Sequence, residues 1–544
     1  MAKPFHLASF LKERAQSEPF AKAVIFPEGK DSSGRTAYTH LTNSQLYEYT
    51  ETLVRQLCAI GIHKGQRICL LVTPSLDFFP LTFALFKIGA IPVFIDPAIG
   101  RKYMKACLRE ADPTGFIGSP KAQVARFILG WGHKRFSHII TVGGRFGFGG
   151  KHLKDLLASP TREFSLPEEP QLQDGAAILF TSGSTGTPKG AHYTHGNFIG
   201  QIEALKNTFH IRPGEKDLCT FPLFALFAPA LGMTAVIPKM DFTKPGSVDP
   251  DNILGPIRDF GITNLFGSPA LLRRLIPKIQ GEGLKLPSLN RIVSAGAPVP
   301  YQTLQALLPA LRKDADIFTP YGATESLPVA CMNARAILAE TAALTKEGGG
   351  ICVGHPVDHL AAKIIKITDT PIATLADCTE LPNGDIGEII VSGPQVTTSY
   401  FNNKKANTQG KIIDGNTTWH RMGDAGYRDN EGRLWFCGRK NHRVTSSNGD
   451  IYTIPTESIF NEHNSVDRTA LVGAGEKGKE TPVLWVETKN PTEELRQSLL
   501  TLSRNNPKTK PVEKIMFHQG FPVDIRHNAK IYREKLKIQA EERL

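Results

Sequence analysis

At 544 residues, 41% hydrophobic and 21% charged, the chain is too long for one compact core and too apolar to be disordered. Domains of about 150 residues would make it roughly three to four domains or subdomains. Its 64 Lys and Arg against 52 Asp and Glu leave a net charge of +12, which favours anionic partners but does not choose among nucleotides, nucleic acid, acidic lipid and a fatty carboxylate.

The chain starts with a charged amphipathic stretch rather than an apolar signal core. The eight cysteines are scattered without a C-x-x-C pair, so neither a disulfide framework nor a structural zinc site is expected, and a reducing cytoplasm is. The most apolar window, 78–95, carries Lys87, Gly89 and Pro92. It reads as a buried helix over 78–88, a break and a strand over 91–95, not as a membrane span. Apolar runs at 68–72, 91–95, 176–180, 235–237, 264–266 and 291–293 predict strands, and the spacing over 44–60 and 269–279 predicts helices. That alternation predicts α/β layers with largely parallel sheets. From about 350 the texture changes: turn signals at Pro382-Asn-Gly-Asp and Asp429-Asn-Glu-Gly precede strands at 388–391 and 434–437. A small β-rich region over 350–437 is expected, then a polar junction at Gly438-Arg-Lys-Asn-His-Arg and a small domain beyond it.

The strongest local signal is Ile178-Leu-Phe-Thr-Ser-Gly-Ser-Thr-Gly-Thr-Pro-Lys-Gly190. An apolar strand runs into Thr181, Ser182, Gly183, Ser184, Thr185 and Gly186, then Lys189. Glycines let backbone N–H groups turn toward an anion, hydroxyls add donors and the lysine adds charge. The run is a phosphate cradle by composition, but its spacing is not that of the G-x-x-x-x-G-K-[ST] loop.

This run resembles the signature loop of the adenylate-forming superfamily: acyl-CoA synthetases, nonribosomal adenylation domains and luciferases. The resemblance extends along nearly the whole chain. Pro320-Tyr-Gly-Ala-Thr-Glu325 is similar to the superfamily's Tyr-Gly-x-Thr-Glu element, and Ser294-Ala-Gly-Ala-Pro298 to its adenine-flanking loop. Gly423-Asp-Ala-Gly426 resembles its ribose-holding element, Gly438-Arg439 its hinge, and Arg526-His-Asn-Ala-Lys-Ile531 its catalytic-lysine motif.

The resemblance implies an α/β fold. Residues 1–438 would form a large N-terminal domain of layered α/β subdomains with a small β-rich subdomain, and residues 439–544 a small mobile α+β lid that swings about 439–441. It also implies ATP and Mg²⁺. Glu325 would ligate the metal, Thr324 would meet the α-phosphate and Lys530, ahead of a helix over 531–544, would be catalytic. The nucleotide would contact Thr181, Ser182, Gly183, Ser184, Thr185, Gly186, Lys189, Gly296, Ala297, Pro298, Tyr321, Gly322, Asp424 and Arg439.

Four departures from the CoA-ligase pattern stand out: Asn441 where Asp is usual, His527-Asn-Ala before the lysine, Ala225 where His is common, and Ser399 before Tyr400. With Phe221-Pro-Leu-Phe-Ala-Leu-Phe, Tyr321-Gly-Ala-Thr-Glu-Ser-Leu-Pro-Val329 and the stretch 521–536, they resemble the β-lactone synthetases of bacterial long-chain olefin biosynthesis. That family implies a long-chain 2-alkyl-3-hydroxy fatty acid as substrate, a β-lactone as product, and AMP and pyrophosphate released. Pathway partners would be a thiolase-like condensing enzyme, a reductase and a β-lactone decarboxylase. Other readings are a fatty acyl-CoA or acyl-AMP ligase, and a nucleotide-binding scaffold without catalysis. His195, His355 and Lys530 are candidate proton acceptors, and sequence does not choose among them. The segments 223–233 and 327–330 are candidates for an acyl pocket. The basic tail from 501, with ten Lys and Arg against five Asp and Glu, offers peripheral membrane contact or a solvated face. No basic motif interleaved with aromatics indicates nucleic-acid binding.

Overall fold

The computed structural model describes residues 6–96, 99–131, 136–144, 150–160, 164–165, 167–181, 188–523 and 531–544, without the side chains of Arg101 and Thr181. Two sheets dominate it. One has eight strands; its central members Gly175–Thr181, Ile91–Ile95, Arg67–Leu71 and Gly115–Gly118 run parallel. The other, of 14 strands, has a parallel centre of Thr234–Val236, Lys216–Cys219, Asn264–Phe266, Arg291–Val293 and Asp316–Ala323. The expected strands therefore form, several within a residue of their predicted limits.

Helices Asn43–Ala59, Phe78–Ile88 and His195–Phe209 contribute to the largest core, which also takes residues from both sheets. Phe78–Ile88 is buried at every position except Lys87, so the most apolar window is core. Among the described residues no helix is long and apolar enough to cross a membrane. Local signals set helix starts: Thr42 and Thr194 each form a capping box, with Gln45 and Asn197.

The β-rich region is an extension of the large sheet. Ser326–Asn333 folds back on Asp316–Ala323 and pairs with Ile351–Pro356, which pairs with Leu434–Arg439. Thr417–Arg428 and Gly387–Ser392 follow in the same hydrogen-bonded array. Past His442 the chain builds two separate small sheets, one of Val444–Ser446 with Gly449–Ile451 and one of Arg468–Ala474, Thr481–Glu487 and Lys514–His518.

The step from Leu434–Arg439 into this C-terminal part is tightly fixed. Gly438 has φ +120°, and a Cβ there would lie 2.2 Å from Thr453 Oγ1, so only glycine lets the strand pass the helix Thr453–Phe460. Two residues on, Lys440 is buried and donates to Glu388 at 3.0 Å; Arg421 donates to the same carboxylate at 3.1 Å through Nε. Glu388 is fully buried, so its charge is tolerated only because both cations meet it. Glu388→Ala would leave both cations without their counter-ion and should cost about 3–5 kcal/mol, read as a lowered urea midpoint. An unchanged midpoint would contradict this role.

Candidate functional site

The two strands Asp316–Ala323 and Ser326–Asn333 are in register from Phe318↔Asn333 to Ala323↔Ser326, which makes Thr324 and Glu325 the two-residue tip of a hairpin. Gly322 allows the close return, because a Cβ there would lie 2.5 Å from the Ser326 carbonyl. The tip reaches the smaller sheet. Tyr193 donates its hydroxyl to the Thr324 carbonyl, and Tyr400, on an edge strand of that sheet, donates to Glu325 Oε1 at 2.6 Å. Thr397 holds the Glu325 carbonyl through its N–H at 2.8 Å and its hydroxyl at 3.2 Å.

Behind this tip lies a buried cation. Lys411 is 6% exposed and donates to the Thr397 carbonyl and, at 3.2 Å, to Thr397 Oγ1. Its Nζ lies 5.3 Å from the Tyr400 ring, as does that of Lys189. Burial brings the Lys411 ammonium down to about 7 against the pull of Glu325. His420, cross-strand from Lys411, is buried and donates Nδ1–H to the Gly410 carbonyl at 3.0 Å. For Glu325, burial works to raise the carboxyl, but His420, the Tyr400 hydroxyl and Lys411 outweigh it and hold it below its usual value. Burial drives His420 down to about 3, so it is uncharged at neutral pH, and Tyr400 and Lys411 carry the effect there.

A second group sits on the same strand as the hairpin. Tyr321 donates its hydroxyl to Asp424 Oδ2 at 2.6 Å, and Arg439, cross-strand from Asp424, pairs with Oδ1 at 2.9 Å. Burial pushes the Asp424 carboxyl up, opposed by Arg439 and Tyr321. Gly296 turns at φ +94° just past Arg291–Val293, leading into Ala297 and Pro298.

The glycine- and hydroxyl-rich run is flanked by antiparallel strands, Gly175–Thr181 and Lys189–Thr194, with Thr181 opposite Lys189. Gly190 serves packing rather than a turn: a Cβ there would lie 2.7 Å from Phe180 Cζ. Ser182, Gly183, Ser184, Thr185, Gly186 and Lys530 lie outside the described residues. Neither candidate histidine joins the cluster. His195 is fully buried at the start of its helix, 5.9 Å from the His6 ring and 6.2 Å from Phe86, and His355 is exposed. The apolar segments do line one cavity. Phe224, Phe227, Leu231 and Met233 line it together with Leu327, Pro328, Ala295 and Pro320. Among the described residues no group of three His, Cys, Asp or Glu could hold a metal.

Residues 11–401 match the AMP-binding enzyme family. The chain is an AMP-binding enzyme. It is 45% identical to the olefin beta-lactone synthetase of Xanthomonas campestris pv. campestris over 98% of this chain and 97% of that one. It is 44% identical to the olefin beta-lactone synthetase of Stenotrophomonas maltophilia over 100% and 99%. Among solved structures, this AMP-binding enzyme resembles O-succinylbenzoate coenzyme A synthetase from Bacillus subtilis in complex with ATP and magnesium ion. The TM-score is 0.75 at 22% identity, covering 97% of this chain and 99% of that one. That likeness establishes the fold.

Three buried histidines make the enzyme acid-sensitive. Burial lowers His6 to about 4 and His195 and His420 to about 3, whereas an unfolded histidine titrates near 6.5. Below pH 6.5 the unfolded chain binds protons that the folded one refuses, so stability present above pH 6.5 is lost as pH falls toward the folded values. At pH 5 the expected loss is about 2 kcal/mol per histidine relative to pH 7, measured as a fall in urea midpoint. A flat midpoint between pH 7 and 5 would contradict their buried neutral state.

Proposed function

We propose that this chain activates a long-chain 2-alkyl-3-hydroxy fatty acid with ATP and closes it to a β-lactone, releasing pyrophosphate and AMP. The observation that carries this is one strand bearing both Tyr321, bonded to Asp424, and the Glu325 tip, bonded to Tyr400, beside an apolar cavity. Full-length identity to two olefin beta-lactone synthetases supports the choice of product.

The residues fit the nucleotide and its metal. Asp424 is a buried carboxylate paired with Arg439 at 2.9 Å, an acceptor suited to a ribose hydroxyl. Tyr400 holds Glu325 Oε1, which fixes the carboxylate at the hairpin tip. A carboxylate so held suits Mg²⁺, which binds through one or two carboxylates with water and phosphate oxygens. When bound, Mg²⁺ offsets negative charge on the phosphates. In the first step a substrate carboxylate oxygen bonds to the α-phosphorus and the bond to pyrophosphate breaks. Lys189, Lys530 and the 181–186 loop would stabilise charge growing on the phosphate oxygens. In the second, the substrate's 3-hydroxyl bonds to the acyl carbon, loses its proton and expels AMP. The enzyme's task is to hold hydroxyl and carbonyl in near-attack geometry.

His195 is out of reach as the proton acceptor, because its ring lies in the core against His6 and Phe86. The supply and use of such an acid and lactone would call for a condensing enzyme, a reductase and a decarboxylase, and a cytoplasmic setting suits the free cysteines. We assign residues 1–438 to substrate and nucleotide binding and 439–544 to a lid carrying Lys530.

The test is incubation with ATP, Mg²⁺ and a racemic 2-alkyl-3-hydroxy acid, with and without CoA. The expected product forms without CoA, is lighter than the acid by one water and shows a β-lactone ring by NMR. Lys530→Ala should slow its formation about 10²–10³-fold. A thioester formed only with CoA would place the chain among acyl-CoA ligases, and a near-normal rate for the variant would remove Lys530 from catalysis.

A further inference from the structure

The cavity beside the hairpin is apolar except at one end. Helix His195–Phe209 supplies Phe209, and the sheet supplies Phe266 and Val293. At the far end stand Asp217 and Asn264, on neighbouring parallel strands and in register with each other. They face the cavity, since the next residues along, Leu218 and Leu265, belong to the core on the sheet's other face. Asn264 is in turn in register with Arg291, and Ala295 at the near end is four residues further along. The two ends are thus about 13 Å apart at about 3.3 Å per residue.

This polar end is built, and one of its atoms lacks a partner. Asn264 donates Nδ2–H to Asp217 Oδ1, and Cys219 Sγ lies 3.0 Å from Asp217 Oδ2. Asn264 is 5% exposed, yet its Oδ1 accepts no hydrogen bond. Arg291, its neighbour in register, is committed to Glu215 instead, at 3.0 Å through Nη2. Burial pushes the Asp217 carboxyl up, opposed by its hydrogen bonds from Cys219 and Asn264. The cavity encloses about 50 Å³, room for a few waters or for the last carbons of a chain.

Resting on the adenylating reading of this site, we propose that Asp217 and Asn264 form a polar end wall that limits how far the substrate's alkyl chain enters the cavity. Along the apolar walls each added methylene gains about fourfold in binding. The methylene that reaches the Asp217–Asn264 pair instead covers polar surface to which it offers no hydrogen bond. The gain therefore reverses at a defined chain length. A wall of leucines would not reverse it.

The test uses a homologous series of straight-chain acids, each read in two ways with the full-length protein: by pyrophosphate release and by thermal shift. Three variants are compared with the wild type: the double variant Asp217→Leu/Asn264→Leu, which removes both polar partners together, Asn264→Leu alone, and Asp217→Asn, which keeps the wall polar. The wild type should gain with length and then break. The double variant should move the break to longer acids, changing the ratio for the two acids either side of it by about tenfold or more. Asn264→Leu should do the same and serves if the double variant does not fold. Asp217→Asn should keep the wild-type break. The proposal is overturned if folded leucine variants break at the wild-type length, or if Asp217→Asn shifts the break as far as they do. Absence of pyrophosphate release with every acid would overturn the adenylating reading alone, since the thermal-shift series still decides where the chain stops.

Discussion

A carboxylate at the seam between two sheets is the constraint on which this structure turns. Glu325 projects from the tip of a hairpin belonging to the large sheet, and Tyr400, on an edge strand of the small one, holds it at 2.6 Å. A carboxylate in such a place is stable only with a counter-charge and donors. Lys411 supplies the charge from behind, and Thr397 ties the hairpin backbone to the same point. The two sheets are consequently fixed against each other beside Lys189, where its strand begins. A ligand spanning the seam would meet groups whose positions are already set, which lowers the reorganisation needed at the moment of reaction.

The same hairpin links the two halves of the site. Tyr321 and Glu325 are four residues apart on one continuous turn of chain, and each is locked by a partner from another segment, Asp424 and Tyr400. Asp424 and Arg439 face each other across paired strands, and the next residue, Lys440, is anchored in the buried Glu388 group. Tyr321, Asp424, Arg439 and the start of the C-terminal part are thus one mechanical unit. A change in the pairing of Asp424 with Arg439 would be felt directly at the junction.

Much of this was legible in the residues. Asn264–Phe266, Arg291–Val293 and Ile91–Ile95 were readable because they are short, wholly or largely apolar and bounded by turn residues. The hairpin of Lys22–Lys30 with Thr36–Thr42 was not, since Pro27, Glu28 and Gly29 break its alternation and most of it is half-buried or exposed. Motif residues such as Glu325 and Asp424 carry local context, a turn and its flanking strands. Lys411 and His420 carry none. They meet through the register of an antiparallel pair and reach Glu325 through Thr397 and Tyr400, contacts that separate the residues by tens of positions in the chain. His195 fails in the other direction: a histidine at a helix start next to the phosphate loop is an attractive base until its ring is found in the core.

The central claim is that a carboxylate attacks the α-phosphorus of ATP at this seam. It is tested most directly by supplying a 2-alkyl-3-hydroxy acid labelled with ¹⁸O in both carboxyl oxygens and locating the label in the products. Attack by the carboxylate requires one labelled oxygen in the AMP released and none in pyrophosphate. Unlabelled AMP, or label in pyrophosphate or inorganic phosphate, would contradict it.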